Sequence, residues 1–326
     1  MSAPTIVSTY RAPRWLPGGH AQTIYASLLP RVQIVRTRRE NWDTPDGDFI
    51  EVDILDGPSD APVLVMFHGL EGSGQSHYAR AMLHAAQKAG WRALLPHFRG
   101  CGGTPNKLPR AYHSGDSAEA DWILRRAREF ARQAALYATG VSLGGNVLLK
   151  WLGEEGAGAR EIVRATVAVS APVDLHAAGD ALERGFSRVY TRMFLASLVR
   201  KSLHMLERYP GLFDASKLRR ARSLRDFDNV VTAPLHGFLD AADYWTRSSS
   251  KPLLKNIAVP TLLINALNDP FLPADALPAA QEVSAALTLE YPATGGHVGF
   301  VTAPFPGRLN WLPNRIIDYL RQANPS

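Results

Sequence analysis

The feature that most constrains the fold is an alternation along the chain. Short apolar runs, bounded by turn residues, are separated by longer stretches whose apolar side chains recur at helical spacing. The runs are Val63–His68 (V-L-V-M-F-H), Ala93–Pro96, Ala134–Thr139, Thr166–Ser170, Thr261–Asn265 and Leu287–Tyr291. A run that is apolar throughout suits a strand covered on both faces, and strands joined through helices lie parallel. Helices are expected over Tyr78–Lys88, Asp116–Arg132 and Leu309–Gln322. Two earlier stretches, Val32–Arg39 and Phe49–Leu55, alternate better and precede the turn residues P-D-G and D-G-P-S. They are expected as antiparallel strands at one edge. The pattern predicts an α/β fold with a mostly parallel central sheet of about eight strands and helices on both faces.

One stretch breaks the alternation. From about Leu175 to Asn256 no strand signal is convincing, whereas Met193–Leu206, Asp214–Ala221 and Leu239–Trp245 read as helices. An inserted helical cap over 175–255 is therefore expected, between core segments 1–174 and 256–326. Within it, Leu195, Leu198, Val199 and Leu206 form an apolar stripe, with Arg192, Arg200 and Arg208 off it.

This stretch also carries the charge. The chain of 326 residues has a formal net charge of +6, and Leu175 to Arg225 alone holds nine arginines and two lysines against two aspartates and two glutamates. A solvated helical face is the preferred reading, with a weak contact between the basic cap and a membrane surface kept as the second. The basic residues match no nucleic-acid recognition motif, so no nucleic-acid partner is expected. The N-terminal residues lack the apolar core of a signal peptide, and no apolar stretch reaches roughly 18 residues. A cytoplasmic protein without a transmembrane segment is the simplest expectation. Composition leaves the oligomeric state open. Cys101 is the only cysteine, which rules out an intrachain disulfide and Cys-based metal sites.

Chemistry enters at residues 140–145, G-V-S-L-G-G, between the run Ala134–Thr139 and the apolar stretch N-V-L-L-K-W-L. A serine on a sharp strand-to-helix turn, flanked by glycines two residues to either side, is the arrangement that exposes a nucleophile. The glycine spacing fits neither a phosphate-binding loop nor a dinucleotide fingerprint. Serine needs a base, and the base needs an orienting carboxylate. His176, His204 and His236 fall in the expected cap. His297, in the glycine-rich loop A-T-G-G-H-V-G-F after the last strand, has the placement a base requires. Asp269, in L-N-D-P-F after Thr261–Asn265, is placed first as the acid, with Asp174 as the competing carboxylate. The backbone N–H of Leu143 and that of Leu70, in the H-G-L-E-G-S-G loop, are expected to hold the oxyanion. His68 reads as a structural residue, Arg99 as internally paired, and Cys101 as a small packed side chain rather than a nucleophile.

H-G-L-E-G-S (68–73), F-R-G-C-G-G-T-P-N (98–106), G-V-S-L-G-G-N (140–146), R-D-F-D-N (225–229), N-A-L-N-D-P-F (265–271) and G-G-H-V-G-F (295–300) together resemble the YheT-like branch of the α/β-hydrolases. That branch takes in yeast medium-chain fatty acid ethyl ester synthase/esterases and related mammalian lipid hydrolases. P-R-W-L-P-G-G-H-A-Q-T-I (13–24) is similar to the branch's N-terminal signature. The resemblance runs from about residue 13 to 300. It implies an α/β-hydrolase fold and a triad of Ser142, Asp269 and His297. It also implies carboxylic ester hydrolysis, with acyl transfer to alcohols in some members. The expectation is a serine carboxylesterase acting on short- to medium-chain acyl esters of small molecules, without metal or organic cofactor. Two rivals remain: an acyltransferase that uses an alcohol acceptor, and a binding protein with this fold and no turnover.

Overall fold

The computed structural model describes residues 4–29 and 35–323. Its strands are β1 (Thr5–Ile6), β2 (Arg38–Asp43), β3 (Phe49–Leu55), β4 (Val63–Phe67), β5 (Arg92–Pro96), β6 (Leu136–Val141), β7 (Ala165–Val169), β8 (Thr261–Ile264) and β9 (Leu287–Glu290). They form one nine-stranded sheet in the order β1-β9-β8-β7-β6-β4-β5-β3-β2. Pairing is antiparallel only at β2–β3 and β3–β5. Every strand from β3 to β8 is buried along its length. This is why these segments read as continuous apolar runs.

The helices α2 (His77–Lys88), α3 (Ser117–Ala131), α4 (Leu143–Glu155) and α11 (Trp311–Gln322) flank the sheet, whereas α1 (Gly19–Leu28) packs through Ala26 against Val301 in the loop after β9. Residues of β4 alternate between two cores, as a two-residue repeat demands. Val63, Val65 and Phe67 pack with Ile123, Leu124, Val147 and Leu148 of α3 and α4. Leu64 and Met66 pack with Met82 and Leu83 of α2 and with Ile316 and Leu320 of α11.

Between β7 and β8 the regular structure is all helical: α5 (Leu175–Leu182), α6 (Arg188–Arg208), α7 (Ala215–Arg220), α8 (Leu224–Phe227), α9 (Ala233–His236) and α10 (Ala241–Ser248), with a π-helical turn at Asp228–Thr232. No helix among the described residues is long and apolar enough to cross a membrane.

Three expectations change. The edge strand lies at Arg38–Asp43, not Val32–Arg39, of which residues 32–34 fall outside the described residues. The T-P-D-G turn pairs Asp43 with Phe49, with Gly47 N–H bonded to Thr44 O at 3.0 Å. A short hairpin fixes the segment directly before its turn as the partner strand, and a solvent-facing edge tolerates the charges of R-R-E-N-W-D. The ninth strand, β1, has only two residues and pairs with β9. Finally, α6 is longer than Met193–Leu206. The apolar cluster at Leu195, Leu198 and Val199 takes in Leu203, and Leu206 lies outside it.

Candidate active site

Ser142 follows β6 and caps α4 with φ 54° and ψ −123°, a left-handed conformation that costs energy for a residue with a side chain. The turn is held in place by close backbone packing. A Cβ on Gly140 would come within 2.3 Å of Gly144 O, and one on Gly144 within 2.5 Å of the carbonyls of Phe67 and His68. Both positions therefore require glycine. The Ser142 carbonyl accepts from Gly145 N–H and Asn146 N–H at 2.8 and 3.1 Å, which starts the helix.

The loops after β8 and β9 bring two more groups to this turn. Ser142 Oγ lies 2.9 Å from His297 Nε2. On the other side of the ring, His297 Nδ1 lies 3.0 and 3.2 Å from Asp269 Oδ2 and Oδ1. The Asp269 side chain is fully buried, and its Oδ1 also accepts from Phe271 N–H at 2.8 Å. An ionised carboxylate can only accept, so Nδ1 carries the proton and Nε2 is free to receive one from the serine. Phe271 stacks on the imidazole with centroids 3.9 Å apart, and Tyr190 of α6 packs against Phe271 at 4.9 Å.

The structure thus joins Ser142, His297 and Asp269. Asp174, the competing carboxylate, instead caps α5, where Oδ1 accepts from Ala177 N–H at 3.1 Å. His176 bonds Thr246, and His204 pairs with Glu207.

The H-G-L-E-G-S loop lies against the serine, for a Cβ on Gly69 would sit 3.1 Å from Ser142 Cβ. Gly69 N–H donates to Tyr78 Oη and Glu71 N–H to Tyr112 Oη, both at 2.8 Å. Leu70 lies between them, and Leu70 and Leu143 line the same cavity as Ser142 and His297. Beneath the loop, buried His68 accepts from Phe98 N–H through Nε2 at 3.0 Å and donates to Gly69 O through Nδ1 at 2.8 Å. Burial lowers its pKa to about 3, so it is neutral and fully used in bonding. Glu71 ties this loop to α6 by accepting from Lys201 Nζ at 2.9 Å and from Ser197 Oγ. Arg99 is buried among Asp46, Asp48 and Glu119 at 2.9, 3.1 and 2.6 Å. Burial pushes the Cys101 thiol up to about 11, far from a reactive thiolate.

The cavity at Ser142 has a volume of about 110 Å³. Leu175 and Leu182 from α5 and Phe194 and Leu198 from α6 supply much of its apolar wall, and Phe271 adds to it. Of these wall residues, sequence reading had placed only Leu198 in an apolar stripe. It had also missed Tyr78, Tyr112 and the stacking Phe271. Each meets the site through the tertiary fold, and no local spacing marks it.

Comparison with known proteins agrees with this architecture. Residues 62–304 match the family model described as alpha/beta hydrolase fold. The chain is 40% identical to the Escherichia coli protein named "Putative esterase YheT" over 92% of this chain and 89% of that one. It is 28% identical to human Phospholipase ABHD3, over 98% of this chain and 80% of the relative. It is 31% identical to Monoacylglycerol lipase of Saccharomyces cerevisiae, over 81% and 59%. Among solved structures, the Pyrococcus furiosus esterase Pf2001 superposes with a TM-score of 0.58 at 16% identity, covering 99% of this chain and 97% of that one.

Proposed function

The chain belongs to the α/β-hydrolase family and, within it, to the YheT-like branch, and on that premise we propose that it is a serine carboxylesterase of short- to medium-chain acyl esters. The observation that carries this reading is the continuous line of hydrogen bonds from Ser142 Oγ through His297 to buried Asp269. The names of the relatives, an esterase and two lipid hydrolases, favour ester substrates.

In this reading Ser142 Oγ attacks the ester carbonyl as His297 Nε2 takes its proton. Asp269 holds the tautomer and stabilises the imidazolium. The oxyanion forms between the N–H groups of Leu143 and Leu70. Collapse of the tetrahedral intermediate breaks the bond to the alcohol, which leaves with the proton from Nε2. Water then attacks the acyl-enzyme by the same route and releases the acid. The helical segment 175–255 acts as a cap whose inner face forms the acyl pocket. Leu175, Leu182, Phe194 and Leu198 make the wall beside Ser142 apolar, which suits the hydrocarbon part of an acyl chain.

The test is covalent labelling by a small fluorophosphonate, with p-nitrophenyl esters of increasing chain length run beside it. Wild type is expected to label and Ser142→Ala to remain unlabelled. Equal labelling of the two proteins would remove Ser142 as nucleophile. Hydrolysis that rises steadily to long-chain esters would remove the short- to medium-chain reading.

A further inference from the structure

The loop that carries His297 has no regular structure of its own, yet three of its successive backbone N–H groups are each received by a side chain. Gly295 N–H donates to Gln22 Oε1 at 2.8 Å, Gly296 N–H to Asn268 Oδ1 at 2.9 Å, and His297 N–H to Thr23 Oγ1 at 2.8 Å. Two of the three acceptors come from α1, more than 270 residues away in sequence.

The acceptors are themselves oriented. Gln22 is 1% exposed; its Oε1 also accepts from Asn268 Nδ2 at 3.1 Å, and its Nε2 donates to Leu16 O at 2.9 Å. The Gln22 amide thus fixes the Asn268 amide, which neighbours the triad aspartate. Thr23 Oγ1 donates to Gly19 O at 2.7 Å, which leaves its lone pairs for His297 N–H. The helix docks closely enough that a Cβ on Gly19 would lie 2.0 Å from Asn268 O. One helix end therefore touches both the acid loop and the base loop, and it lies outside residues 62–304, the span matched by the hydrolase family model.

We infer that Gln22 and Thr23 are positioning residues of the active site: α1 sets the distance between the His297 ring and Ser142 by clamping the G-G-H backbone. This rests on the reading of Ser142, His297 and Asp269 as a triad. The physical basis is that catalytic groups act only when held within about half an ångström of the productive geometry, by neighbours that are themselves locked. A side-chain acceptor lost beneath the loop frees the backbone to which the imidazole is attached.

The experiment compares Thr23→Val, Gln22→Met, Thr23→Ser and, as control, Tyr25→Phe in the full chain. Tyr25 lies on the same helix but donates to Pro306 O instead. Two readouts are followed in protein shown to be folded at the assay temperature: the second-order rate of fluorophosphonate labelling, and the low-field proton NMR signal of His297 Nδ1–H. Thr23→Val and Gln22→Met are expected to slow labelling by about 10- to 100-fold and to broaden the low-field signal. Thr23→Ser, which keeps the acceptor, recovers most of the rate and the signal. Tyr25→Phe leaves both unchanged. The inference is overturned if Thr23→Val and Gln22→Met label at the wild-type rate, or if their loss matches the fraction unfolded. If wild type itself does not label, the reading of Ser142 fails instead. The NMR signal then decides alone: loss in Thr23→Val supports the clamp, and persistence refutes it.

Discussion

The sheet and the helical segment between β7 and β8 hold their parts of the site in different ways. Strands β4, β6 and β8 are buried end to end, and each is flanked by a partner on both sides. The turn after β6 cannot accept even a methyl group at Gly140 or Gly144. Helix α6, by contrast, spans 21 residues and buries only Tyr190, Thr191, Leu195 and Ser202. Just before it Phe186 is 50% exposed, and in its first two turns Val189 and Met193 are 39% and 66% exposed. The sheet therefore fixes the turn that carries Ser142, and the helices between β7 and β8 contribute apolar wall to the cavity beside it. On the proposed function, chemistry belongs to the first layer and selectivity to the second.

The sharpest way to break this comparison is Asp269→Asn. The amide leaves the loop's packing nearly unchanged but can offer His297 Nδ1 the wrong partner. A fall of about 10⁴-fold in kcat is expected, with the melting temperature close to wild type. If kcat survives, the buried carboxylate does not orient the base. Phe194→Ala tests the other layer. Its ring packs edge-on against Phe271 with centroids 6.0 Å apart and lines the cavity. Removing it should shift preference toward longer acyl chains by about tenfold, the scale of one or two methylenes in a pocket. Labelling by a small fluorophosphonate should hardly change. A collapse of labelling in Phe194→Ala would mean that the helices also set the reactive geometry.

The same contrast explains what the sequence made legible. Ser142 and Asp269 follow strands whose apolar runs are unmistakable, and His297 follows the last of them, so chain order and placement after a strand pointed to all three, with Asp174 left as a competing acid. The helical segment was visible as a block but not in detail. Its stripe extends through Leu203, not Leu206, because α6 is packed on one side by Leu218, Phe227 and Val231 from elements joined only in three dimensions. Strand β1 left no signal, since two residues cannot show a period. The role of G-G-H-A-Q-T-I at 18–24 was equally hidden: Gln22 and Thr23 answer to backbone donors in a loop at the far end of the chain.

A last expected effect separates the two layers by the sign of their response to pH. His68, under the H-G-L-E-G-S loop, is neutral in the folded chain, with its pKa lowered by burial to about 3 from 6.5. Below pH 6.5 the unfolded chain binds a proton that the folded chain refuses, so stability falls as pH drops. The expected slope reaches about 1.4 kcal/mol per pH unit within that window. Asp228, in the π-helical turn of the helical segment, behaves oppositely. Burial pushes it up to about 6 from 3.8, although Thr232 Oγ1 and Trp245 Nε1 donate to it at 2.6 and 2.8 Å and Arg225 lies nearby. Between these two values the folded chain holds the proton more tightly, so this group's contribution is present at low pH and is lost as pH rises through about 6. Urea midpoints measured from pH 4 to 7 should therefore fall less steeply on acidification in His68→Gln than in wild type. In Asp228→Asn they should fall more steeply, because the compensating group is gone. Parallel slopes in all three proteins would show that neither buried group titrates differently on folding. Slopes that move in the same direction in both variants would show that the two layers do not oppose each other.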